Sequence, residues 1–148
     1  MDATNTPAAP AAISDRLGYL LKHAYQRYQE IQRPALAPLG LDGRLLAVLA
    51  AVAAEGPALQ QRLSERLGVD RTTMVALVDA LERGGLVKRQ RDPADRRGQQ
   101  VRLTAKGQRV LLRAQAVIDK VEQEFLAGLD SQEEREFRRL LQALVATS

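Results

Sequence analysis

Apolar residues recur with helical spacing along most of this chain, and one short stretch breaks the rhythm with period two. Leu17, Leu20, Leu21, Ala24, Tyr28 and Ile31 share one face of a first helix, with Ser14 as its N-cap. Pro34 and Pro38 predict that this helix ends or bends before Gly40. Asp42 caps a second helix with Leu45, Leu46, Leu49 and Val52 inward, closing near Glu55-Gly56-Pro57. A short third helix places Leu59, Leu63 and Leu67 one turn apart, and Gly68 stops it. Asp70 caps a fourth, whose buried stripe is Met74, Leu77, Val78 and Leu81 and whose end is Gly84-Gly85. Val69 before that cap and Met74 after it have the spacing of a hydrophobic staple. Helices three and four, joined at Gly68-Val69-Asp70, form a helix-turn-helix by pattern.

The period-two interruption covers Leu86–Arg91 and Gln99–Thr104, with Val87, Val101 and Leu103 as inward positions. Between them Asp92-Pro93-Ala94-Asp95 suits a type I turn, so the two segments predict a hairpin. Thr104 can cap a long fifth helix in which Leu111, Ala114, Ile118, Val121 and Phe125 step 3-4-3-4, a coiled-coil spacing. A capping box, Asp130-x-x-Glu133 or Ser131-x-x-Glu134, opens a last helix carrying Phe137, Leu140, Leu141 and Leu144. The expectation is a mainly α protein with one small hairpin.

Composition adds a direction to this layout. The 148 residues are 45% apolar and 27% charged, a soluble globular balance with enough chain for a real core. The net charge is only +4, but it is unevenly placed. Lys88, Arg89, Arg91, Arg96, Arg97, Arg102, Lys106, Arg109 and Arg113 face only Asp92 and Asp95 between Leu86 and Arg113. That segment carries +7 and the remainder −3, a distribution that fits a polyanionic partner. Residues 1–12 are Pro/Ala-rich without a basic start or bulky apolar block, and read as a disordered tail, not a signal peptide. The longest apolar run, Leu45 to Ala54, is too short for a bilayer, so a cytoplasmic location without membrane contact is expected.

Several chemistries lack their residues. There is no cysteine for a disulfide or a thiol sensor, and the single His23 makes no His-rich metal site in one subunit. No nucleophile–base pair, Gly-rich phosphate loop or metal-ligand spacing is visible, so neither an enzyme nor a cofactor is expected.

Double-stranded DNA is the partner this order of elements fits. With its stripe buried, the fourth helix offers Arg71, Thr72 and Thr73 in its first exposed turn, then Val75 and Ala76. Arginine can donate two bonds to guanine, threonine can bond a base or phosphate, and Val or Ala can meet a thymine methyl. Lys88, Arg89 and Arg91 on the hairpin stem are candidates to hold phosphates, though a charged strand can simply be solvated. Arg96 and Arg97 at the tip, beside Asp95, suit a narrow and strongly negative minor groove. The first, fifth and last helices present more apolar surface than one small lobe covers, so a homodimer on an inverted-repeat operator is expected. Tyr19, Tyr25 and Tyr28 near His23 could line a small-molecule cavity or belong to a core.

The stretch Leu59–Gly107, with Asp92-Pro93-Ala94-Asp95-Arg96-Arg97 and then Val101-Arg102-Leu103-Thr104-Ala105-Lys106-Gly107, resembles the MarR family of winged helix-turn-helix regulators. The resemblance runs from about Gly40 to Leu112. It implies a DNA-binding lobe over residues 41–104 and a helical dimerisation lobe from residues 13–40 and 105–148. It also implies that the fourth helix enters the major groove, and that Arg97, oriented by Asp95, enters the minor groove. Many members are repressors released by a small aromatic or phenolic effector bound between the lobes, and Tyr19, His23, Arg44 and Leu45 are the candidate lining here. Two departures stand out. Val75-Ala76 occupies a place where relatives often carry a polar and then a basic residue, and Leu45 one where an aromatic is frequent. A sequence-specific repressor is the leading expectation; a winged-helix protein-interaction module and a non-specific nucleoid-type DNA binder remain open beside it.

Overall fold

The computed structural model describes residues 13–94 and 98–147. The expected tail and the expected wing-tip residues Asp95, Arg96 and Arg97 lie outside them. Helix α1 spans Leu17–Leu36 and ends before Gly40, as Pro34 and Pro38 predicted, with Pro34 inside its last turn. The proline forfeits one bond to the i−4 carbonyl, and the helix continues only two residues beyond it. A 3-10 turn, Ala37–Leu39, follows and closes at Gly40, whose φ of 70° places it in the left-handed region. Helix α2, Gly43–Glu55, begins at Asp42, whose carboxylate accepts from the Leu45 N–H at 2.8 Å. Helices α3, Gln60–Leu67, and α4, Arg71–Arg83, are joined through Gly68, which is also left-handed.

The hairpin forms where period two predicted it. Strand β2, Val87–Arg91, pairs antiparallel with β3, Gln99–Leu103, in a register that runs from Val87 opposite Leu103 to Arg91 opposite Gln99. A third strand was not expected. Ala58–Leu59, here β1, lies just before α3 and pairs with Val101 and Gln100, giving the sheet order β1-β3-β2. Helix α5 spans Ala105–Phe125. Helix α6, Ser131–Val145, opens with the Asp130/Glu133 capping box, the first of the two boxes considered.

The chain forms two compact units, Gln32–Lys120 and the flanking segments up to Ile31 and from Val121. The division falls inside α1 and α5, not at the loops near residues 40 and 104. The reason is packing: Leu36 from the end of α1 and Leu111 and Ala114 from α5 are buried with Val48, Leu49, Leu63, Met74, Val78, Leu81 and Val101 in one core. No buried polar or charged residue occurs in that core among the described residues.

A tight junction lies at the start of α5. The Thr104 hydroxyl accepts from the Gly107 N–H at 2.9 Å and donates to the Gly85 carbonyl at 2.6 Å, just past the end of α4. The Lys106 ammonium donates to the Gly84 carbonyl at 2.9 Å. Gly107 presses against Leu86, where an added Cβ would stand 2.0 Å from the backbone oxygen. The Leu-Thr-x-x-Gly run thus ties the second strand, the end of α4 and the start of α5 together.

The flanking unit is held differently. Val121 and Leu126 are buried, and the rings of Tyr28 and Phe125 meet edge-on with centroids 5.4 Å apart. Arg138 bridges Glu122 at 2.7 Å and Glu134 at 3.2 Å, tying α6 to α5. Large apolar residues remain outside: Leu17, Leu20, Leu21 and Tyr25 on α1, and Leu140, Leu144 and Val145 on α6. Among the described residues no single helix is long and apolar enough to cross a membrane.

Candidate nucleic-acid interface

Helix α4 is built to present one end. Its apolar stripe Met74, Leu77, Val78 and Leu81 is buried, so the helix is anchored along its length with the opposite face left to solvent. At its start the Asp70 carboxylate accepts from the Thr73 N–H at 2.8 Å and from the Thr73 hydroxyl at 2.7 Å. Both bonds favour the charged form, and they hold the Asp70 carboxyl below the usual aspartate range. Thr73 therefore has its hydroxyl proton engaged in capping and is half-buried; its hydroxyl can only accept from another partner.

The remaining helix candidates are open. Arg71, Thr72, Val75 and Ala76 are exposed, with Arg71 in the first turn, where helix amides favour an anion. On the stem, Lys88 and Arg91 are exposed and show no partner among the described residues, so both charges are free to meet a phosphate. The turn beyond Arg91 is pinned at its base: the Asp92 N–H donates to the Gly98 carbonyl at 3.0 Å, and the Asp92 carboxylate accepts from the Ala94 N–H at 2.9 Å.

Arg89 departs from its two neighbours. Its guanidinium is turned onto α4, 2.6 Å from the Asp79 carboxylate and 3.1 Å from that of Glu82. It also donates to the Val75 carbonyl at 3.3 Å and to the Gln60 side-chain oxygen at 3.3 Å. Only 17% of the side chain is exposed. The sequence showed the sign of this charge but not the acidic pair facing it. Asp79 and Glu82, three residues apart on α4, were the available signal.

Between the start of α3, the start of α4 and the hairpin lies a cleft of about 390 Å³. It is lined by Gln60, Gln61, Ser64, Arg71 and Gln99, with Leu59 and Gly98. Amides, a hydroxyl and a guanidinium make it rich in donors. Gln60, Gln61, Ser64 and Gln99 were not among the expected site residues, because isolated polar residues on a helix and a strand carry no sequence signal of a shared cleft.

The expected effector-lining residues fall in different units. Tyr19 and His23 lie on α1 in the flanking unit, exposed, with ring centroids 4.0 Å apart and planes tilted by 38°. Arg44 and Leu45 lie at the start of α2 in the other, Arg44 exposed and Leu45 half-buried. Among the described residues no group of three His, Cys, Asp or Glu side chains could hold a metal ion.

The sequence profile of the MarR family matches residues 39–98, the span from the 3-10 turn to the hairpin. The transcriptional regulator HosA of Escherichia coli is 35% identical over 101 residues, which is 68% of this chain and 75% of that protein. The chain belongs to the MarR family. Like its relatives, this MarR-family protein is a DNA-binding transcriptional regulator with a winged helix-turn-helix fold. A MarR-family regulator from Rhodococcus sp. RHA1 superposes with a TM-score of 0.84 at 29% identity, covering 92% of this chain and 96% of that one. BpsR of Bordetella bronchiseptica, whose DNA binding is regulated by 6-hydroxynicotinic acid, superposes with a TM-score of 0.81 at 26% identity, covering 89% and 94%.

Proposed function

We propose that this MarR-family protein is a homodimeric repressor that reads an inverted-repeat operator and is released from it by a small aromatic acid or phenol. The observation that carries the DNA half of this reading is the shared exposure, within one unit, of the first turn of α4 and of Lys88 and Arg91 on the hairpin stem, which have no ion-pair partner among the described residues. A helix end suited to base edges stands beside cations suited to phosphates. In this reading Arg71, Thr72 and Ala76 face the major groove, and Thr73 supports the turn that presents them. Arg97, next to Arg96 and oriented by the Asp95 carboxylate, is the residue proposed for the minor groove.

The dimer is supported by the apolar residues that α1 and α6 leave in water, among them Leu17 at 66% exposed and Leu144 at 66%. Isolated surface leucines are ordinary, but a run along two helices marks a contact surface. Two heads related by a two-fold axis would match an inverted repeat. The effector is supported by BpsR, which responds to a hydroxylated heteroaromatic acid. On α1, Tyr19 and His23 are proposed to meet such a ligand through ring stacking. The protein has no catalytic step in this reading and acts in the cytoplasm.

Selection of bound duplexes from a random pool tests the reading directly. It should return a palindrome, and Arg97→Ala should weaken its binding by about 1–3 kcal/mol in a gel-shift titration at fixed salt. Enrichment of no sequence would leave a non-specific binder. Loss of DNA binding altogether, with the fold intact, would favour a protein-interaction module.

A further inference from the structure

Three cations were expected to lie along the wing stem as phosphate contacts, and one of them is differently placed. Lys88 and Arg91 are exposed without partners among the described residues, while the Arg89 side chain is folded back onto α4. Its Nη1 serves both Asp79 and Glu82, its Nη2 the Val75 carbonyl, and its Nε the Gln60 amide oxygen. The Arg89 backbone N–H adds a bond to the second Glu82 oxygen at 2.9 Å. One guanidinium thus joins the middle and end of α4, the start of α3 and the first strand of the hairpin. Two carboxylates against one guanidinium leave this cluster negative, which is unfavourable ground for a phosphate.

We propose that Arg89 is a positioning residue, which with Asp79 and Glu82 fixes the wing stem on the reading helix and thereby sets the spacing between the two grooves the protein reads. The proposal rests on the reading in which α4 and the wing enter neighbouring grooves. The guanidinium fork is needed because three elements are held from different directions at once; a lysine ammonium carries the same charge as a single point. Bonding of its oxygen to Arg89 also leaves the Gln60 amide hydrogens available to the cleft beside Arg71.

A test follows from the sign of the charges. Removing a carboxylate from a surface that meets DNA should by itself strengthen binding to a polyanion. Positioning predicts the reverse for the selected duplex. Arg89→Lys, Asp79→Asn and Glu82→Gln would be titrated against the selected operator, a random duplex, and operators whose outer A·T step is moved by one base pair relative to the helix-read bases. For Arg89→Lys and Asp79→Asn the preference for operator over random duplex should fall about tenfold, on the scale of one lost base contact. The slope of log K against log salt for Arg89→Lys should stay at its wild-type value, and the sharp preference for one spacing should flatten. Glu82→Gln should show the same pattern in weaker form, because Asp79 still holds the fork.

Wild-type selectivity and spacing preference in Arg89→Lys would overturn the proposal. So would tighter operator binding by Asp79→Asn, or a salt slope lowered by about one in Arg89→Ala with equal loss on every duplex. Should an Arg89 variant not fold, the two carboxylate variants decide the matter, since both side chains are partly exposed. Arg71→Ala serves as the control for the underlying reading. If wild type and Arg71→Ala prefer the same bases equally, the groove assignment fails; if they differ while the Arg89 set does not, positioning alone fails.

Discussion

The two compact units differ in how completely they satisfy themselves. The winged unit, Gln32–Lys120, closes around Leu49, Leu63, Met74 and Val101, and its cap and junction residues pair with backbone groups of neighbouring elements. The flanking unit buries Val121 and Leu126 but leaves leucines of α1 and α6 in water, and ties its helices with surface ion pairs such as Arg138–Glu122. Surface pairs contribute little, about 0–1 kcal/mol each. One unit has the makings of a stable body by itself, and the other has the surface of something that awaits a counterpart.

The largest expected effect lies in the first unit. Leu49→Ala removes a fully buried side chain and should lower stability by about 2–5 kcal/mol, read from urea unfolding and independent of protein concentration. A concentration-dependent loss would mean that the winged unit is not self-sufficient. Gly107→Ala comes next. The methyl has no room against the Leu86 carbonyl, so a loss of about 1–3 kcal/mol is expected, with α4 and the hairpin stem less protected in hydrogen exchange.

In the other unit Leu20→Asp should leave monomer unfolding nearly unchanged, since the side chain is half exposed. It should raise the self-association constant for dissociation about tenfold, or about 1.4 kcal/mol, in sedimentation equilibrium. An unaltered constant would remove α1 from the proposed interface. The smallest effect concerns pH. The Asp70 carboxyl is held below its ordinary value by the Thr73 bonds, so its charged form stabilises the folded state above that value. That contribution is lost as the pH falls below the ordinary aspartate value of 3.8 and through the lower folded one. Asp70→Asn keeps a capping oxygen without the titration, and its stability gap from wild type should narrow as the pH is lowered in thermal melts.

Much of this architecture was legible because single residues announced it. Asp42, Asp70 and Thr104 each cap the helix they were expected to cap, Asp130 is the one of two candidates that caps the last, and period two located both hairpin strands. Strand β1 was not legible, since two residues establish no period. Nor was the division of α1 and α5 between units, because helical spacing reports a buried face but not which core receives it. For the interface, exposure at Arg71, Thr72 and Ala76 followed from the apolar stripe on the same helix. Arg89 did not follow, because charge along a strand says nothing of what lies across from it.

Asp70 and Thr73 have a consequence beyond the helix they begin. The hydroxyl bond restrains the Thr73 side chain, and the N–H bond caps the first turn of α4, in the protein without DNA. Ordering a loose helix end on contact with DNA would subtract its conformational entropy from the affinity. Here the cap offsets part of that cost during folding, so less of it falls on the encounter with DNA.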